Sequence, residues 1–207
     1  MEDEKTGNFE IEPEEIKGKI HEKKHYKSDI RNIMREIKVI ALDVDGVLTQ
    51  GDIYIGESDE TQKRFDAKDG MGITCALRQG IDFSIITGRK SYIVTRRAAE
   101  LGITDVRTGV VDKGAELEKI AKKFGVEIKN IAYMGDDLND LPILAKAGFS
   151  CAPFDAVPEV RERVDYIASR KGGEGAVREV IELILKSQGK WRNVVTAYLF
   201  KGQGDKQ

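Results

Sequence analysis

Side chains able to do chemistry follow or lie between short apolar runs in the middle of the chain. Asp43 and Asp45 come directly after the run Val39–Leu42, and Thr87 and Asp136 follow two later runs of the same kind. The candidate side chains are Asp43, Asp45, Thr87, Lys113, Asp136 and Asp140. If the apolar runs are parallel strands of one sheet, their carboxyl ends share an edge, so these side chains should converge in one cleft.

Three of the four carboxylates among these candidates have the chemistry of a hard-cation site. Asp43, Asp45 and Asp136 offer only oxygen ligands, and clustered carboxylates repel one another unless a cation lies between them. Mg²⁺ prefers such oxygens and keeps coordination positions open for phosphate. Lys113 and Thr87 would add a point charge and a hydroxyl donor. The pattern therefore predicts phosphoryl transfer, with one carboxylate as nucleophile through an aspartyl phosphate and Asp45 as general acid and then base.

The alternative interpretation is that these aspartates are ordinary loop residues. Asp-Gly pairs such as Asp45-Gly46 are common in turns for purely conformational reasons, and each motif taken alone is compatible with that reading. The motifs taken together favour the catalytic interpretation, because they follow successive predicted strands in a fixed order and all point to the same edge of one sheet.

Alternating strand and helix patterns would position this cleft. The apolar runs typical of strands buried on both faces are Val39–Leu42, Ile81–Ile86, Ile131–Met134, Phe149–Ala152 and a weaker Tyr166–Ala168. Amphipathic helical spacing is clearest from Leu117 to Phe124, closed by Gly125, and from Val177 to Leu185. Such alternation requires crossover connections, so we expect an α/β fold with a Rossmann-like parallel sheet and helices on both faces.

One stretch, residues 49–65, breaks the alternation and reads as a β-hairpin inserted directly after the first strand. Two short extended segments, near Asp52–Ile55 and Thr61–Phe65, flank the turn-rich cluster Gly56–Glu60. An insertion at this point would hang over the carboxyl end of the sheet as a flap, where open α/β sheets bind their ligands.

The chain divides into three predicted segments. Residues 1–36 form a charged N-terminal extension, in which a helical spacing of apolar residues begins at Tyr26. Residues 37–189 form the α/β domain that carries the candidate site. Residues 190–207 form a C-terminal tail, whose apolar side chains would pack either on the domain or on a neighbouring subunit.

Composition narrows the class of protein. The 207 residues include 34 Lys and Arg against 36 Asp and Glu, a formal net charge of −2, which lacks the basic excess of nucleic-acid-binding proteins. Cys75 and Cys151 lie far apart and outside any C-x-x-C pattern, which indicates a reducing compartment rather than a disulfide or zinc site. No signal peptide or transmembrane run is recognisable, so we expect a cytoplasmic protein with a small-molecule partner, no nucleic acid and no membrane.

Four motifs resemble those of the haloacid dehalogenase superfamily of phosphohydrolases. They are Asp43-Val44-Asp45-Gly46-Val47-Leu48-Thr49, Thr87-Gly88-Arg89, Lys113, and Gly135-Asp136-Asp137-Leu138-Asn139-Asp140. Between Asp45 and Thr87 there is room only for the hairpin and one helix, so no large cap domain is expected. Within the superfamily the chain resembles the capless 3-deoxy-D-manno-octulosonate 8-phosphate phosphatases, most closely over Phe65–Ile73 and Gly172–Glu179.

The resemblance implies a catalytic role for each motif. Asp43 would be the nucleophile, and Asp45 would be the acid and base that contacts the substrate. Thr87 and Lys113 would hold the phosphoryl oxygens, and Asp140 would orient metal-bound water or Lys113. The implied Mg²⁺ ligands are Asp43, Asp45 through its backbone carbonyl, and Asp136.

The resemblance also implies sugar contacts and an assembly. The implied sugar-contacting positions are Asp66, Ala67, Lys68, Asp69, Gly70, Arg89, Arg97 and Asn139. Enzymes of this kind are homotetramers in which the hairpins assemble together and a neighbour's C-terminal tail covers the site. The implied cellular process is lipopolysaccharide biosynthesis.

At three positions the chain departs from the pattern that it resembles. Lys68, Thr74 and Glu174 stand where many members have arginine, and lysine gives a point charge in place of a bidentate fork. These departures leave the substrate open between the eight-carbon sugar-acid phosphate, hydrolysed by a Mg²⁺-dependent phosphatase, and a nine-carbon sialic-type 9-phosphate. A third alternative is a catalytically idle interaction module that supports a sugar-nucleotide enzyme.

Overall fold

The computed structural model describes residues 19–20, 27–57 and 60–200. The strands are β1 (Lys19–Ile20), β2 (Val39–Leu42), β3 (Tyr54–Ile55), β4 (Glu60–Gln62), β5 (Asp82–Thr87), β6 (Asp105–Thr108), β7 (Ile131–Met134), β8 (Phe149–Ala152) and β9 (Tyr166–Ile167). The α-helices are α1 (Lys27–Arg35), α2 (Ala67–Arg78), α3 (Tyr92–Leu101), α4 (Lys113–Phe124), α5 (Leu141–Leu144), α6 (Pro158–Arg161), α7 (Ala176–Ser187) and α8 (Trp191–Phe200). None of these helices is long and apolar enough to cross a membrane.

The predicted parallel sheet is confirmed. The strand order is β1-β9-β8-β7-β2-β5-β6, and neighbouring strands run parallel except β1, which pairs antiparallel with β9. Strand β2 lies between β7 and β5, so that Leu42 pairs with Met134 on one side and with Ile85 on the other. Because of this register, the residues that follow β2, β5 and β7 meet at one carboxyl edge.

Helices cover both faces of the sheet, and the side chains of β2 alternate between the two cores. Ile40 and Leu42 belong to a core formed with α1, α2 and α7. Val39 and Ala41 belong to the opposite core, formed with α4 and α5. A strand buried on both faces has no solvent-facing position, which explains why its sequence is apolar throughout.

Helix α1 lies in the predicted N-terminal extension, yet it packs into the domain. Ile30 and Met34, one helical turn apart, are 1% and 0% exposed. The side-chain amide of Gln188, at the end of α7, donates to the backbone oxygen of Met34 at 3.1 Å. Helix α1 therefore packs its apolar face into the domain core. Residues 1–18 and 21–26 of the predicted extension lie outside the described residues.

The hairpin flap is also confirmed, as strands β3 and β4. They pair antiparallel with Tyr54 opposite Gln62, and Tyr54 and Ile55 are exposed. The paired strands are shorter than the predicted extended segments, because a two-stranded hairpin has no third strand to extend its pairing. Residues 58–59 of the predicted turn lie outside the described residues.

The predicted tail begins with helix α8, which packs on α7 of the same chain. A guanidinium nitrogen of Arg78 in α2 donates to the hydroxyl oxygen of Tyr198 at 2.9 Å. Leu199 and Phe200, at the end of α8, remain exposed. The described part of the tail thus contacts its own chain, and residues 201–207 lie outside the described residues.

Strand β6 is an element that the apolar pattern does not predict. Its sequence is Asp-Val-Arg-Thr, and it lies at the edge of the sheet next to β5. The carboxylate of Asp105 accepts hydrogen bonds from Ser84 at 2.7 Å and from Arg107 at 3.0 Å. An edge strand can carry charged side chains where they find partners, so it lacks the apolar signature of the central strands.

Candidate active site

The turn after β2 holds Asp43 at the carboxyl edge of the sheet. Asp43 is 5% exposed, and its backbone N–H donates to the carbonyl oxygen of Met134 in β7 at 3.0 Å. Thr49 donates twice to the carbonyl oxygen of Val44, from its N–H at 3.0 Å and from its hydroxyl at 3.2 Å. The first motif is therefore a closed turn that keeps Asp43 next to the end of β7.

Two glycines allow the loops around this turn to approach one another. Gly46 has a φ of +90°, and a Cβ at this position would lie 2.0 Å from a carboxylate oxygen of Asp136. A Cβ on Gly172 would lie 1.7 Å from the carbonyl oxygen of Gly46. The first motif, the fourth motif and the loop before α7 are thus packed so closely that side chains at these glycines would separate them.

Lys113 links two of the carboxylates. Its ammonium nitrogen lies 2.7 Å from Oδ1 of Asp43 and 2.7 Å from Oδ1 of Asp140, and Lys113 is 2% exposed. Lys113 is the first residue of α4, which is capped by Asp112 through a bond from the N–H of Ala115 at 3.1 Å. Burial lowers the pKa of Lys113, but the two carboxylates raise it by more. The net shift is upward, so the ammonium stays charged.

Asp140 has both oxygens occupied by donors from its own chain. Oδ1 accepts from Lys113 at 2.7 Å and from the hydroxyl of Tyr133 at 2.6 Å. Oδ2 accepts from the N–H groups of Asp136 at 2.9 Å and Asp137 at 3.3 Å. Sequence reasoning did not identify Tyr133, whose only signal is a hydroxyl in a strand of otherwise apolar side chains. Asp140 therefore contacts Lys113, one of the two partners that the resemblance implied for it.

The clustered carboxylates fit a divalent cation. One oxygen from each of Asp43, Asp136 and Asp140 lies within 4.8 Å of the others. Burial raises the pKa of Asp43 to about 7, with the charge on Asp140 adding to the rise and Lys113 opposing it. Burial also raises the pKa of Asp136 to about 8, with Asp43 and Asp140 adding to it. A hard cation would relieve this repulsion, and the donors left for it are Asp43 and Asp136 because Asp140 is saturated.

The carboxylate of Asp45 lies outside this cluster and has cations of its own. Its Oδ1 contacts the ammonium of Lys63, whose side chain is only 1% exposed. Its Oδ2 lies 3.6 Å from Nε of Arg89, whose side chain is 53% exposed. Sequence reasoning did not identify Lys63, because a single lysine after a hairpin strand carries no recognisable signal. The implied role of the backbone carbonyl of Asp45 as a metal ligand stays a prediction.

Thr87 and Arg89 follow β5, next to the first motif. Thr87 is 2% exposed, and its hydroxyl oxygen accepts from the N–H of Arg89 at 3.2 Å. Strand β5 pairs directly with β2, so the register brings Thr87 to the edge that carries Asp43. The structure therefore brings the four motifs to one edge, as the sequence predicts.

The first turn of α2 holds several of the implied sugar contacts. Asp66 caps the helix, accepting from the N–H groups of Lys68 at 2.6 Å and Asp69 at 3.2 Å. Ala67 and Lys68 are exposed there, whereas Asp69 is buried. The oxygens of Asp69 accept from the N–H groups of Arg178 at 2.7 Å and Gly175 at 3.3 Å. Burial raises the pKa of Asp69 to about 6. In the single chain, Asp69 thus joins α2 to the start of α7.

The remaining implied sugar contacts lie in two other environments. The side chain of Arg97 packs against α2 at Gly70. A Cβ on Gly70 would lie only 2.4 Å from a guanidinium nitrogen of Arg97. The same guanidinium lies over the ring of Phe65 and 3.3 Å from Glu100. Asn139 is exposed in the single helical turn that ends at Asp140. Arg97 is therefore engaged within the chain, and Asn139 is accessible.

A cavity of about 410 Å³ lies beside the loop that packs on the first motif. Its lining includes Lys68, Arg170, Glu174 and Arg178. Glu174 also accepts a hydrogen bond from the amide of Gln50 at 2.5 Å. Two of the three departures from the family pattern, Lys68 and Glu174, therefore lie on one cavity. At the third, the hydroxyl of Thr74 donates to the carbonyl oxygen of Gly70 at 3.1 Å within α2.

The sequence is similar to known phosphatases over most of its length. A sequence profile of haloacid dehalogenase-like hydrolases matches residues 100–181. The curated relative 3-deoxy-D-manno-octulosonate 8-phosphate phosphatase KdsC of Escherichia coli (strain B / BL21-DE3) is 44% identical over 163 residues. That match covers 79% of this chain and 87% of the relative, so it extends well beyond the region of the profile.

Solved structures agree with this similarity. The 3-deoxy-D-manno-octulosonate 8-phosphate phosphatase from Moraxella catarrhalis, in complex with a magnesium ion, a phosphate ion and a KDO molecule, aligns with a TM-score of 0.80. It is 41% identical, over 84% of this chain and 99% of that one. The cobalt-bound deoxy-D-mannose-octulosonate 8-phosphate phosphatase from Haemophilus influenzae aligns with a TM-score of 0.75 at 39% identity, over 76% and 92% of the two chains. With its four motifs on one sheet edge, this chain belongs to the 3-deoxy-D-manno-octulosonate 8-phosphate phosphatase family of the haloacid dehalogenase superfamily.

Proposed function

We propose that the protein is a Mg²⁺-dependent phosphomonoesterase that hydrolyses 3-deoxy-D-manno-octulosonate 8-phosphate to the free sugar acid and phosphate. The observation that carries the proposal is the cluster of Asp43, Asp136 and Asp140, in which a buried lysine, Lys113, contacts Asp43 and Asp140. Family membership supports the substrate, and the Moraxella structure, which holds magnesium, phosphate and KDO, supports the cofactor and the product.

The first step transfers the phosphoryl group to the protein. Asp43 attacks phosphorus, a bond forms between its oxygen and phosphorus, and the bond from phosphorus to the sugar oxygen breaks. Asp45 gives its proton to that sugar oxygen, which takes the electron pair of the broken bond and leaves as an alcohol. Lys113 and Thr87 hold phosphoryl oxygens through the ammonium and the hydroxyl. These assignments rest on the buried pair of Lys113 and Asp43 and on the register of β5 with β2.

The second step releases phosphate. Asp45, now ionised, removes a proton from water, whose oxygen attacks the aspartyl phosphate and regenerates the carboxylate of Asp43. Bound Mg²⁺ would be held by Asp43, Asp136 and the backbone carbonyl of Asp45, and it would supply positive charge that offsets the charge on the phosphoryl group. Asp140 keeps Lys113 beside the nucleophile, since its two oxygens are bonded to donors that include Lys113.

We also propose that the active species is a homotetramer in the cytoplasm, acting on a small molecule and on neither nucleic acid nor membrane. Exposed apolar side chains surround the carboxyl edge of the single chain, and we call them the apolar rim. The apolar rim is Ile55, Tyr92, Val111, Leu138 and Phe154. Hairpins from neighbouring copies would cover it and exclude water from the site. Sedimentation should show a tetramer that Ile55→Asp dissociates, and a fully active monomer would contradict this assembly.

Release of phosphate from a panel of substrates tests the proposed function. The panel contains the eight-carbon sugar-acid 8-phosphate, a nine-carbon sialic-type 9-phosphate, a hexose phosphate and a nucleoside monophosphate, each with Mg²⁺ and with EDTA. We expect kcat/KM for the eight-carbon substrate to exceed the others by at least about tenfold, and only with Mg²⁺. A preference for the nine-carbon substrate would overturn the assignment of the eight-carbon substrate. Absence of any turnover would favour an idle module.

The second candidate substrate, the nine-carbon acid, is favoured by one observation. Lys68 and Glu174, where many family members have arginine, lie together on the cavity beside the first motif. A glutamate accepts hydrogen bonds that an arginine cannot accept, so a longer polyol chain could bond there. Glu174→Arg distinguishes the two substrates, because it should raise the ratio of eight-carbon to nine-carbon turnover if Glu174 contacts the sugar.

A further inference from the structure

Lys63 is a buried lysine that no motif of the family resemblance includes. It directly follows β4, the second strand of the hairpin, and its side chain is only 1% exposed. A lysine is seldom buried without a partner of opposite charge, because moving an ammonium out of water costs several kcal/mol. One partner of its ammonium is Oδ1 of Asp45, the proposed acid and base.

Asp45 is held from two sides, and the two contacts differ in strength. Arg89 lies 3.6 Å away with a side chain that is 53% exposed, and such a pair contributes little because water screens it. Lys63 is in direct contact and almost fully buried, so its bond to Oδ1 is screened far less. The orientation of the carboxylate therefore depends mainly on Lys63. The side chain of Asp45 is 21% exposed, so part of it stays accessible from the cleft.

We infer that Lys63 is a positioning residue: it holds the carboxylate of Asp45 where it can pass its proton to the leaving sugar oxygen. This inference rests on the proposed function. As the phosphorus–oxygen bond breaks, the electron pair stays on the sugar oxygen, which takes the proton from Asp45, while Asp43 forms the new bond to phosphorus. A proton donor acts only within hydrogen-bond reach, and a displacement of about 1 Å can cost about 10²-fold in rate.

The same contact couples the hairpin to the chemistry. Asp45 belongs to the turn after β2, whereas Lys63 enters from the hairpin, so the acid is fully oriented only when the end of β4 lies in its observed position. The next residue, Arg64, is exposed and donates to the side chain of Gln50 at 2.9 Å. Arg64 is therefore a matched control that removes one cation from the same segment without touching Asp45.

The leaving group of the substrate tests the inference. A sugar alcohol is a poor leaving group that needs a proton, whereas 4-nitrophenolate leaves without one. We expect Lys63→Met in the full chain with Mg²⁺ to lower kcat for the sugar-acid phosphate by about 10²-fold, and kcat for 4-nitrophenyl phosphate by less than about fivefold. Arg64→Met should change neither, and Lys63→Arg should restore part of the sugar-acid rate. Equal losses on both substrates would overturn the inference.

A double-mutant cycle keeps the inference testable if Lys63→Met folds poorly. In the Asp45→Asn background, Lys63→Gln should have no further effect on the sugar-acid rate, because Lys63 acts only through Asp45. Independent, additive losses would mean that Lys63 serves the phosphate or the fold instead, and would overturn the inference. The wild-type enzyme is measured in the same assays, so that failure of the proposed function can be distinguished from failure of this inference. If the wild type turns over neither substrate, the proposed function itself is wrong.

Discussion

Two clusters of charged side chains use the same residue types with opposite electrostatic results. The catalytic cluster is the set Asp43, Lys113, Asp136 and Asp140 at the carboxyl edge of the sheet. The edge cluster is the set Asp105, Arg107, Glu116, Lys119 and Lys123 beside β6. The first has three carboxylates and one cation, so it carries two net negative charges when ionised. The second has two carboxylates and three cations, so it carries one net positive charge.

The pKa values of the two clusters shift in opposite directions. In the edge cluster, Arg107 lies 3.0 Å from Asp105 and 2.6 Å from Glu116, and Lys123 lies 2.8 Å from Asp105. Burial raises the pKa of Asp105, but Lys123 and Arg107 lower it by more, and Lys119 and Arg107 do the same for Glu116, so both values fall below the ordinary range. In the catalytic cluster, the pKa values of Asp43 and Asp136 rise to about 7 and about 8.

A structural charge cluster and a ligand site differ in whether the chain itself balances their charge. A cluster that stabilises the fold carries its own cations, and its carboxylates are ionised more easily than in water. The catalytic cluster lacks that balance, and Asp140 already bonds to the one lysine that the carboxylates share. A cluster left with excess negative charge is completed by a cation from solution, which is why the two regions should respond differently to substitution, metal and pH.

The largest expected difference is in turnover. Asp43→Asn should lower kcat by about 10⁴-fold or more, because an amide cannot form the acyl phosphate. Asp105→Asn, the same change in the edge cluster, should leave kcat within about threefold. Phosphate release from the sugar-acid phosphate measures both, with circular dichroism to verify folding. Activity of Asp43→Asn within tenfold of wild type would remove Asp43 as the nucleophile.

The next difference is the response to metal. Mg²⁺ at a hundred times its dissociation constant should stabilise the wild type by about 2.7 kcal/mol, since it binds only the folded state. Asp136→Ala should lose both this stabilisation and Mg²⁺-dependent activity, whereas Asp105→Ala should keep the Mg²⁺ response. Thermal unfolding with Mg²⁺ and with EDTA measures the stabilisation by the metal. An unchanged rise in Tm for Asp136→Ala would show that Mg²⁺ binds elsewhere.

The third difference is the sign of a stability change in metal-free protein. Asp136→Asn should raise the free energy of unfolding by about 1–2 kcal/mol, because the carboxyl of Asp136, with a folded pKa of about 8, must take up a proton on folding at pH 7.5, and an amide avoids that cost. Asp105→Asn should lower it by about 1–2 kcal/mol, because it removes the buried charge that pairs with Arg107 and Lys123. Urea denaturation at pH 7.5 in EDTA compares them, and changes of the same sign would remove the contrast between the clusters.

The pH dependence of metal-free stability follows from the raised pKa values. The folded pKa of Asp43, about 7, and that of Asp136, about 8, exceed the value of 3.8 for a free aspartate. At these two groups the folded state therefore binds more protons than the unfolded state, so their contribution to stability is most favourable below about pH 4 and falls as pH rises to about 8. Asp69, with a pKa of about 6, contributes in the same direction.

Urea denaturation in EDTA between pH 5 and pH 8 measures this fall. The double variant Asp43→Asn, Asp136→Asn should flatten most of it and leave the part due to Asp69. Asp105 behaves oppositely, since a lowered pKa adds stability that is present above about pH 4 and lost at lower pH. A wild-type stability that rises between pH 5 and pH 8 without metal would contradict the predicted repulsion.

The smallest expected effect concerns the support of Asp140. Tyr133→Phe removes one hydrogen bond to Asp140 and leaves its bond to Lys113, so kcat should fall by about three- to tenfold. Tyr166→Phe, whose hydroxyl donates to Glu179 at 2.7 Å, is the control and should leave kcat nearly unchanged. Steady-state kinetics decides, and equal effects of the two variants would separate Tyr133 from the catalytic cluster.

Much of the fold could be predicted because central strands buried on both faces leave a plain signature. The runs at Val39–Leu42, Ile131–Met134 and Phe149–Ala152 coincide with β2, β7 and β8. Strand β6 could not be predicted in this way, because its charged side chains pair with Glu116 and Lys123 of helix α4. Helix α1 showed its apolar spacing, but only the packing of Ile30 and Met34 makes it part of the core.

Four motifs of recognisable residue types at the ends of apolar runs are enough to indicate phosphoryl transfer with a hard cation. The side chains that support those motifs can be identified only in the folded chain. Contacts in the folded chain reveal the support from Tyr133 and Lys63 and show that both oxygens of Asp140 are bonded. One such contact joins Lys63, at the end of the hairpin, to Asp45. The physical reason is that a motif is a local pattern of residue types, whereas burial and pairing depend on which distant segments the sheet and its loops bring together.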